Sequence, residues 1–332
     1  MAEKRLFYPA IDGLRAYAAI GILCLHVFAN AAYQIPFARE ILVPFTHLVY
    51  LFMVISAFSM CCGYYEKMVS GSVSLEQFYG KRYGKIWPFF AMLCMIDILI
   101  SPSVQSVYEL LANLTLCFGF LDAEIKVIGV GWFLGLVFVF YMVFPFFCYL
   151  ISKKSRAWFA FTAALMMNYL CTVYFDVYRT NIAYSAVFFF AGGLIYLYRE
   201  RLETISKAYR PFVAAACLAL TVAFYALGQP VLVILALFSL MLIGAIGVDG
   251  KGILNNPVVA FLSTISLEIY LSHMVVFRIL EKLHMLYPFG SGVASLISAC
   301  VLTLVGTIVF SLIARKLLDL FAKRIRRLGG AA

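Results

Sequence analysis

Charged residues make up only 13% of this 332-residue chain, and just 16 positions are acidic. With 64% hydrophobic residues and a mean hydropathy of +0.97, it lies far above the roughly 45–50% apolar share of soluble domains, which excludes a soluble globular fold. There are four histidines and no Cys-x-x-Cys pair. The nine cysteines, an odd number, fall mostly inside apolar runs, where a free thiol behaves as a small hydrophobe. A disulfide ladder and a zinc site are therefore not expected, and no metal is assigned. A packing role is expected for Cys61 and Cys62. No stretch is rich enough in Gly, Pro and Ser to link two domains, so residues 1–332 are read as a single membrane domain. The N-terminal MAEKRLFYPA leads into an apolar run with no small-residue cleavage site after it, so that run is expected to be retained.

What the chain has in abundance is apolar segments of about 17–24 residues, the length needed to cross about 30 Å of hydrocarbon as helices. Ten-residue alternating strands of a barrel are absent. The expected fold is an all-α polytopic membrane bundle. Its ten transmembrane helices are placed near 14–33, 45–65, 86–101, 130–150, 157–175, 182–198, 211–227, 230–247, 258–279 and 291–314. The stretch 105–121 is interrupted by Glu109, Asn113 and Thr115, and charge decides its topology. If it stays on one side as a re-entrant or interfacial helix, most Lys and Arg residues face the cytoplasm, and only Arg39, Lys126, Arg179, Arg278 and Lys282 face out. Both termini are then cytoplasmic. The net charge of +10 is explained by this bias between spans, and nucleic acid is not an expected partner.

Ionisable groups inside a span are functional candidates. Arg15 and His26 lie eleven positions apart in the first apolar run, IDGLRAYAAIGILCLHVFANAAY. On a helix that is three turns plus roughly 20°, placing both on one face about 16 Å apart along the axis. The plain alternative is a snorkelling arginine and a histidine bonded to a neighbouring helix. The chemical reading is a cation near the membrane surface and a mid-depth imidazole able to take a proton from a hydroxyl. Asp12, three residues before Arg15, is placed to cap the helix and orient the guanidinium.

Three further groups follow. Lys81, Arg82 and Lys85 in FYGKRYGKIWP suit phosphate oxygens, although anchoring by positive charge alone predicts such a cluster. In ISLEIYLSHMVVF, Ser266, Tyr270 and His273 share one helical face, as helix-gluing polar residues also do, while Glu268 points roughly the other way and needs a partner helix, a protonated state or a water-filled path. His273 is expected nearer the outer surface than His26. On the outer side, Asp176, Arg179, Asn181 and His47 are ordinary loop residues unless they ring a vestibule for a polar acceptor such as a sugar.

The order of these pieces resembles the acyltransferase 3 family. The DGLR start with a His eleven residues after the Arg is matched by IDGLRAYAAIGILCLH, and the FFxLSGF pattern by VYLFMVISAF (49–58). FYGKRYGKIWPFF resembles FxxRRxxRIxP, GWFLGLVFVFYMVFP (131–145) resembles WSLxxExxFYxxxP, and ISLEIYLSH (265–273) resembles ISYxIYLxH. Ala57 stands where the second pattern usually has Gly, Phe133 where the fourth has Ser and Val137 where it often has Glu. No role for a glutamate at 137 carries over.

The resemblance implies an integral membrane O-acyltransferase in the cytoplasmic membrane. It would move an acetyl or other short acyl group from cytoplasmic acyl-CoA to a hydroxyl of a surface polysaccharide or its lipid-linked precursor. On that reading His26 is the catalytic base, assisted by Arg15. Arg15, Lys81, Arg82 and Lys85 hold the acetyl-CoA phosphates, and Arg179, Asn181, Tyr270 and His273 hold the acceptor. A separate extracytoplasmic protein could complete delivery, because no soluble domain follows the last span here. The competing expectations are a flippase of a lipid-linked glycan, which would leave acetyl-CoA intact, and a non-catalytic scaffold.

Overall fold

The computed structural model describes residues 7–100, 102–120 and 129–329. Lys126, counted above as facing out, lies outside the described residues, as do Lys4, Arg5 and the two chain ends. The architecture is all-helical, with no strand among the described residues. In chain order the helices are α1 Pro9–Ala29, α2 Ala38–Leu42, α3 Leu48–Val69, α4 Leu75–Ile100 and α5 Val104–Leu114. Then come α6 Trp132–Ile151, α7 Lys154–Val173, α8 Ile182–Leu197, α9 Arg199–Ala208 and α10 Arg210–Ala226. The last are α11 Val231–Ile246, α12 Pro257–Thr264, α13 Ser266–Lys282 and α14 Val293–Gly329.

Among the described residues, four stretches are long and apolar enough to cross a membrane, namely Pro9–Ala29, Ala38–Val69, Gly129–Ile151 and Val293–Arg324. The number rises to six if each of two bent pairs is one span. The expected count of ten also draws on shorter helices such as the apolar α10 and α11, of 17 and 16 residues. The ambiguous stretch near 105–121 forms α5, eleven residues or about 16 Å long, followed by a 3-10 turn at Cys117–Phe120. Its C-terminal Leu114 carbonyl accepts from Trp87 Nε1 at 2.9 Å, which ties it to α4.

One expected span is broken: the stretch at 258–279 is α12 and α13, bent by 74° at Ile265. The span expected at 182–198 is the continuous α8, which turns by 79° into α9 only at its end, Tyr198. Neither bend has a Gly or Pro at its hinge. Bent backbone frees polar groups, and at membrane depth these need partners from the protein.

Pro9, at the first helical position where a missing N–H costs nothing, starts α1 five residues earlier than expected. This helix is surrounded by α3, α11, α12, α13 and α14. Small residues make that approach feasible. A Cβ on Gly13 would sit 2.1 Å from the Leu254 carbonyl oxygen. On α14, Ser295, Ala299, Thr303, Thr307 and Ser311 form a buried stripe, whereas Val293, Ile297, Val301, Val305 and Val309 lie exposed on the opposite face. Large apolar side chains turned outward and small ones turned inward fit a helix whose outer surroundings are hydrocarbon.

Candidate active site

Because α1 runs without a break, Arg15 and His26 keep the common face that their spacing predicts. Asp12 does not cap the helix. Tyr8 holds the cap position, and Asp12 lies within the first turn, where its Oδ1 accepts from Arg15 Nη1 at 2.7 Å. Arg15 Nη2 donates to Ser59 Oγ of α3 at 3.1 Å, so the guanidinium is fixed from two helices.

A cavity of about 790 Å³ opens beside this arginine. Four cations line it: Arg15, Arg82, Lys85 and Arg315. Lys81, expected in this group, is exposed and is not among the lining residues, although it stands one helical turn before Lys85 on α4. Arg82 donates to Tyr64 OH at 2.8 Å and lies over the Tyr64 and Tyr141 rings, 4.7 and 5.8 Å from their centroids. Lys85 precedes the expected third span by one residue. It is open to the cavity but otherwise enclosed by protein, and that burial, with the Arg15 and Arg82 charges nearby, pushes its ammonium below the usual lysine range. At the mouth, Tyr8 OH faces Glu203 Oε2 at 3.5 Å; burial and the Glu203 charge push this phenol up to about 12.

Sequence reasoning missed Arg315. It donates through Nε to Glu268 Oε1 at 2.6 Å and through Nη2 to the Thr264 carbonyl, one of the groups freed at the α12–α13 bend. Glu268 thus has the partner helix it requires, and both side chains line the cavity. The signal in the sequence was an acidic residue in an apolar segment, which demands a cation at matching depth.

The inner end of the cavity is aromatic. Phe52, Phe133 and Tyr270 meet there with ring centroids 5.4 to 6.2 Å apart, and Tyr270 OH donates to the Val130 carbonyl at 2.7 Å. One helical turn beyond Tyr270 on α13 is His273, which is 1% exposed. Its Nε2 lies 2.8 Å from His26 Nδ1, and its Nδ1 lies 3.1 Å from the Ile269 carbonyl oxygen. The two imidazoles are 10° from parallel with centroids 5.0 Å apart. That separation matches the N···N distance plus the two ring radii, so the rings meet edge to edge in one plane and do not stack face to face. Neither histidine is among the residues lining the cavity, from which the aromatic trio separates them. Bringing α1 and α13 together across 247 positions of sequence is what sequence reading could not foresee.

In the group expected on the outer side, Arg179 donates to Thr46 Oγ1, and its guanidinium lies over Trp132, 5.3 Å from the ring centroid. His47 stacks on Tyr50 with centroids 5.8 Å apart. Asn181 serves as the N-cap of α8, its Oδ1 accepting from Ala183 N at 2.8 Å. The structure therefore pairs His273 with His26, places Tyr270 one turn from His273, seats Arg179 against Thr46 and Trp132 and engages Asn181 in local capping.

A family model described as an acyltransferase domain matches residues 8–314, nearly the whole chain. No curated protein and no solved structure matches.

Proposed function

Because the chain belongs to the acyltransferase 3 family, a family of membrane acyltransferases, we propose that it O-acylates a surface glycan or its lipid-linked precursor from cytoplasmic acyl-CoA, most simply acetyl-CoA. The observation that carries this reading is a cavity lined by four cations at one end and closed by aromatics one helical turn short of a histidine pair at the other. On this reading the protein sits in the cytoplasmic membrane with the cationic end facing the cytoplasm, an orientation that the charge bias between spans supports. Arg15, Arg82, Lys85 and Arg315 suit the phosphates of the coenzyme, because guanidinium and ammonium groups form charge-assisted hydrogen bonds to phosphate oxygens. The long arm of the donor then runs toward Tyr270, carrying its thioester to His26.

The acceptor hydroxyl approaches from the side of Arg179. Its proton passes to His26 Nε2, the ring nitrogen that His273 does not engage, as the oxygen attacks the thioester carbonyl. The C–S bond then breaks as the ester forms, and His26 returns the proton to the departing thiolate. Placing donor and base on opposite sides of the aromatic trio makes opening of that wall part of the cycle.

The test is acetylation of surface glycans, read by mass spectrometry in cells with and without the gene, together with thiol release from acetyl-CoA by the purified protein. The expected result is loss of an acetyl modification without the gene and in membrane-inserted His26→Ala and Arg15→Ala variants. Wild-type acetylation by both variants would overturn the assignment, and intact acetyl-CoA in the presence of acceptor would favour a flippase.

A further inference from the structure

The hydrogen-bond chain through the two histidines has a direction, fixed at its far end by the backbone. The Ile269 carbonyl oxygen can only accept, so the His273 nitrogen facing it, Nδ1, must carry the hydrogen. A neutral imidazole has one N–H, which leaves His273 Nε2 with a bare lone pair. The His26 nitrogen 2.8 Å away must then donate, so in neutral His26 the hydrogen is on Nδ1 and the lone pair is on Nε2. These positions are assigned from the network, and the edge-to-edge arrangement of the rings, 10° from coplanar, suits an in-line bond.

From this chain we infer that His273 is a positioning residue that sets the tautomer and ring orientation of His26. The inference rests on the reading of His26 as the base. A base must present a lone pair to the incoming hydroxyl, and the chain from Ile269 through His273 presents it at Nε2 before any substrate arrives. When Nε2 takes the proton, every other donor and acceptor in the chain keeps its role, so the charged ring forms without rearrangement of its partners. A histidine that only glued α13 to α1 would need a bond in either direction. Here the carbonyl, 3.1 Å from Nδ1, permits one direction. His273 is buried and lies behind Tyr270, which suits a role exerted through His26 better than contact with the acceptor.

Three substitutions separate positioning from plain structure. Gln in place of His273 can place an amide oxygen near the former Nε2 and accept from His26. Asn reaches only to the former Nδ1 position and cannot, and Ala offers nothing. The expected result is a kcat reduced about 100-fold in His273→Asn and His273→Ala, with the KM for acyl-CoA unchanged, and recovery to within about tenfold of wild type in His273→Gln. Nitrogen-15 NMR of the histidine-labelled protein reads the tautomer directly, and the expected His26 signal shows hydrogen on Nδ1 in the wild type and in His273→Gln. Wild-type kcat in membrane-inserted His273→Ala, equal losses in the Gln and Asn variants at equal thermal stability, or a His26 hydrogen on Nε2 would each overturn the inference. Failure of the base reading shows separately, as full activity in His26→Ala.

Discussion

Arg315 of α14 clamps Glu268 of α13 at 2.6 Å and also satisfies the Thr264 carbonyl at the bend between α12 and α13. One guanidinium therefore neutralises a carboxylate in an apolar helix and caps the break that positions Tyr270 and His273. Removing one partner of a buried pair costs several kcal/mol because the other charge is stranded. The arginine side chain here is 39% exposed, so solvent screening reduces the cost to about 2 kcal/mol. Arg315→Ala should lower the melting temperature in detergent, and Glu268→Gln combined with Arg315→Met should melt higher than Arg315→Ala alone. A melt of Arg315→Ala indistinguishable from wild type would show that the bend stands without the clamp.

The lining of the cavity separates lysines that look equivalent in sequence. Arg82→Ala and Lys85→Ala should each raise the KM for acyl-CoA about tenfold, which corresponds to one charge-assisted hydrogen bond of 1 to 2 kcal/mol. Lys81→Ala should leave it unchanged, because Lys81 is not among the lining residues. A matching rise for Lys81→Ala would move the phosphate site out of the cavity.

Lys85 also predicts a pH dependence. Its ammonium lies below the usual lysine range through burial and the Arg15 and Arg82 charges. The charged form binds phosphate, so affinity is complete at low pH and is lost as pH rises through the lowered value, earlier than an ordinary lysine near 10.5 would lose it. Donor KM measured against pH should therefore climb on the alkaline side, and Lys85→Arg should flatten the climb. An identical alkaline limb in Lys85→Arg would assign the titration to another group.

Much of this site was legible in the chain because it depends on one regular helix. The spacing of Arg15 and His26 survives unchanged in α1, and Arg82 and Lys85 follow from the basic segment at the start of the third expected span. The pairing of His26 with His273 was not legible, since helix contacts across 247 positions depend on packing that a single sequence does not encode locally. The break at Ile265 was hidden for a related reason. No Gly or Pro marks it, and the carbonyl it frees is satisfied by Arg315, 51 positions away. Asn181, expected to hold the acceptor, stands immediately before an apolar helical run, which is also the signature of an N-cap, the role the structure gives it.

Packing of α8 on α3 depends on a glycine. A Cβ at Gly192 would lie 2.2 Å from the Val54 carbonyl oxygen and 2.9 Å from Ala57 Cβ, so neither backbone can yield without moving a helix. Gly80 on α4 has nothing within 4 Å of the same position. Gly192→Ala should destabilise by about 1–3 kcal/mol, as overpacking does, while Gly80→Ala should be neutral or slightly stabilising through helix propensity. Thermal melts of the two variants against wild type decide the matter, and equal melts would mean that α8 can shift on α3 at no cost.

Phe133 occupies the inner wall of the cavity with Phe52 and Tyr270, the three centroids lying within 6.2 Å of one another. On the proposed reading the acyl group must pass this wall to reach His26, so the ring limits acyl size at that passage. A pocket that gains or loses room for one methylene changes discrimination by roughly 10–200-fold. Phe133→Ala should therefore raise the ratio of kcat/KM for butyryl-CoA over acetyl-CoA by about tenfold or more. Truncating a buried Phe also costs about 3–5 kcal/mol of stability, so Phe133→Leu, which keeps most of the volume, serves as the folded control with a smaller shift in the same direction. The ratio of two donors on the same preparation is independent of how much protein is active, which isolates selectivity from stability. An unchanged ratio in both variants would place the limit on acyl length elsewhere and leave Phe133 as a wall between the cavity and the histidines.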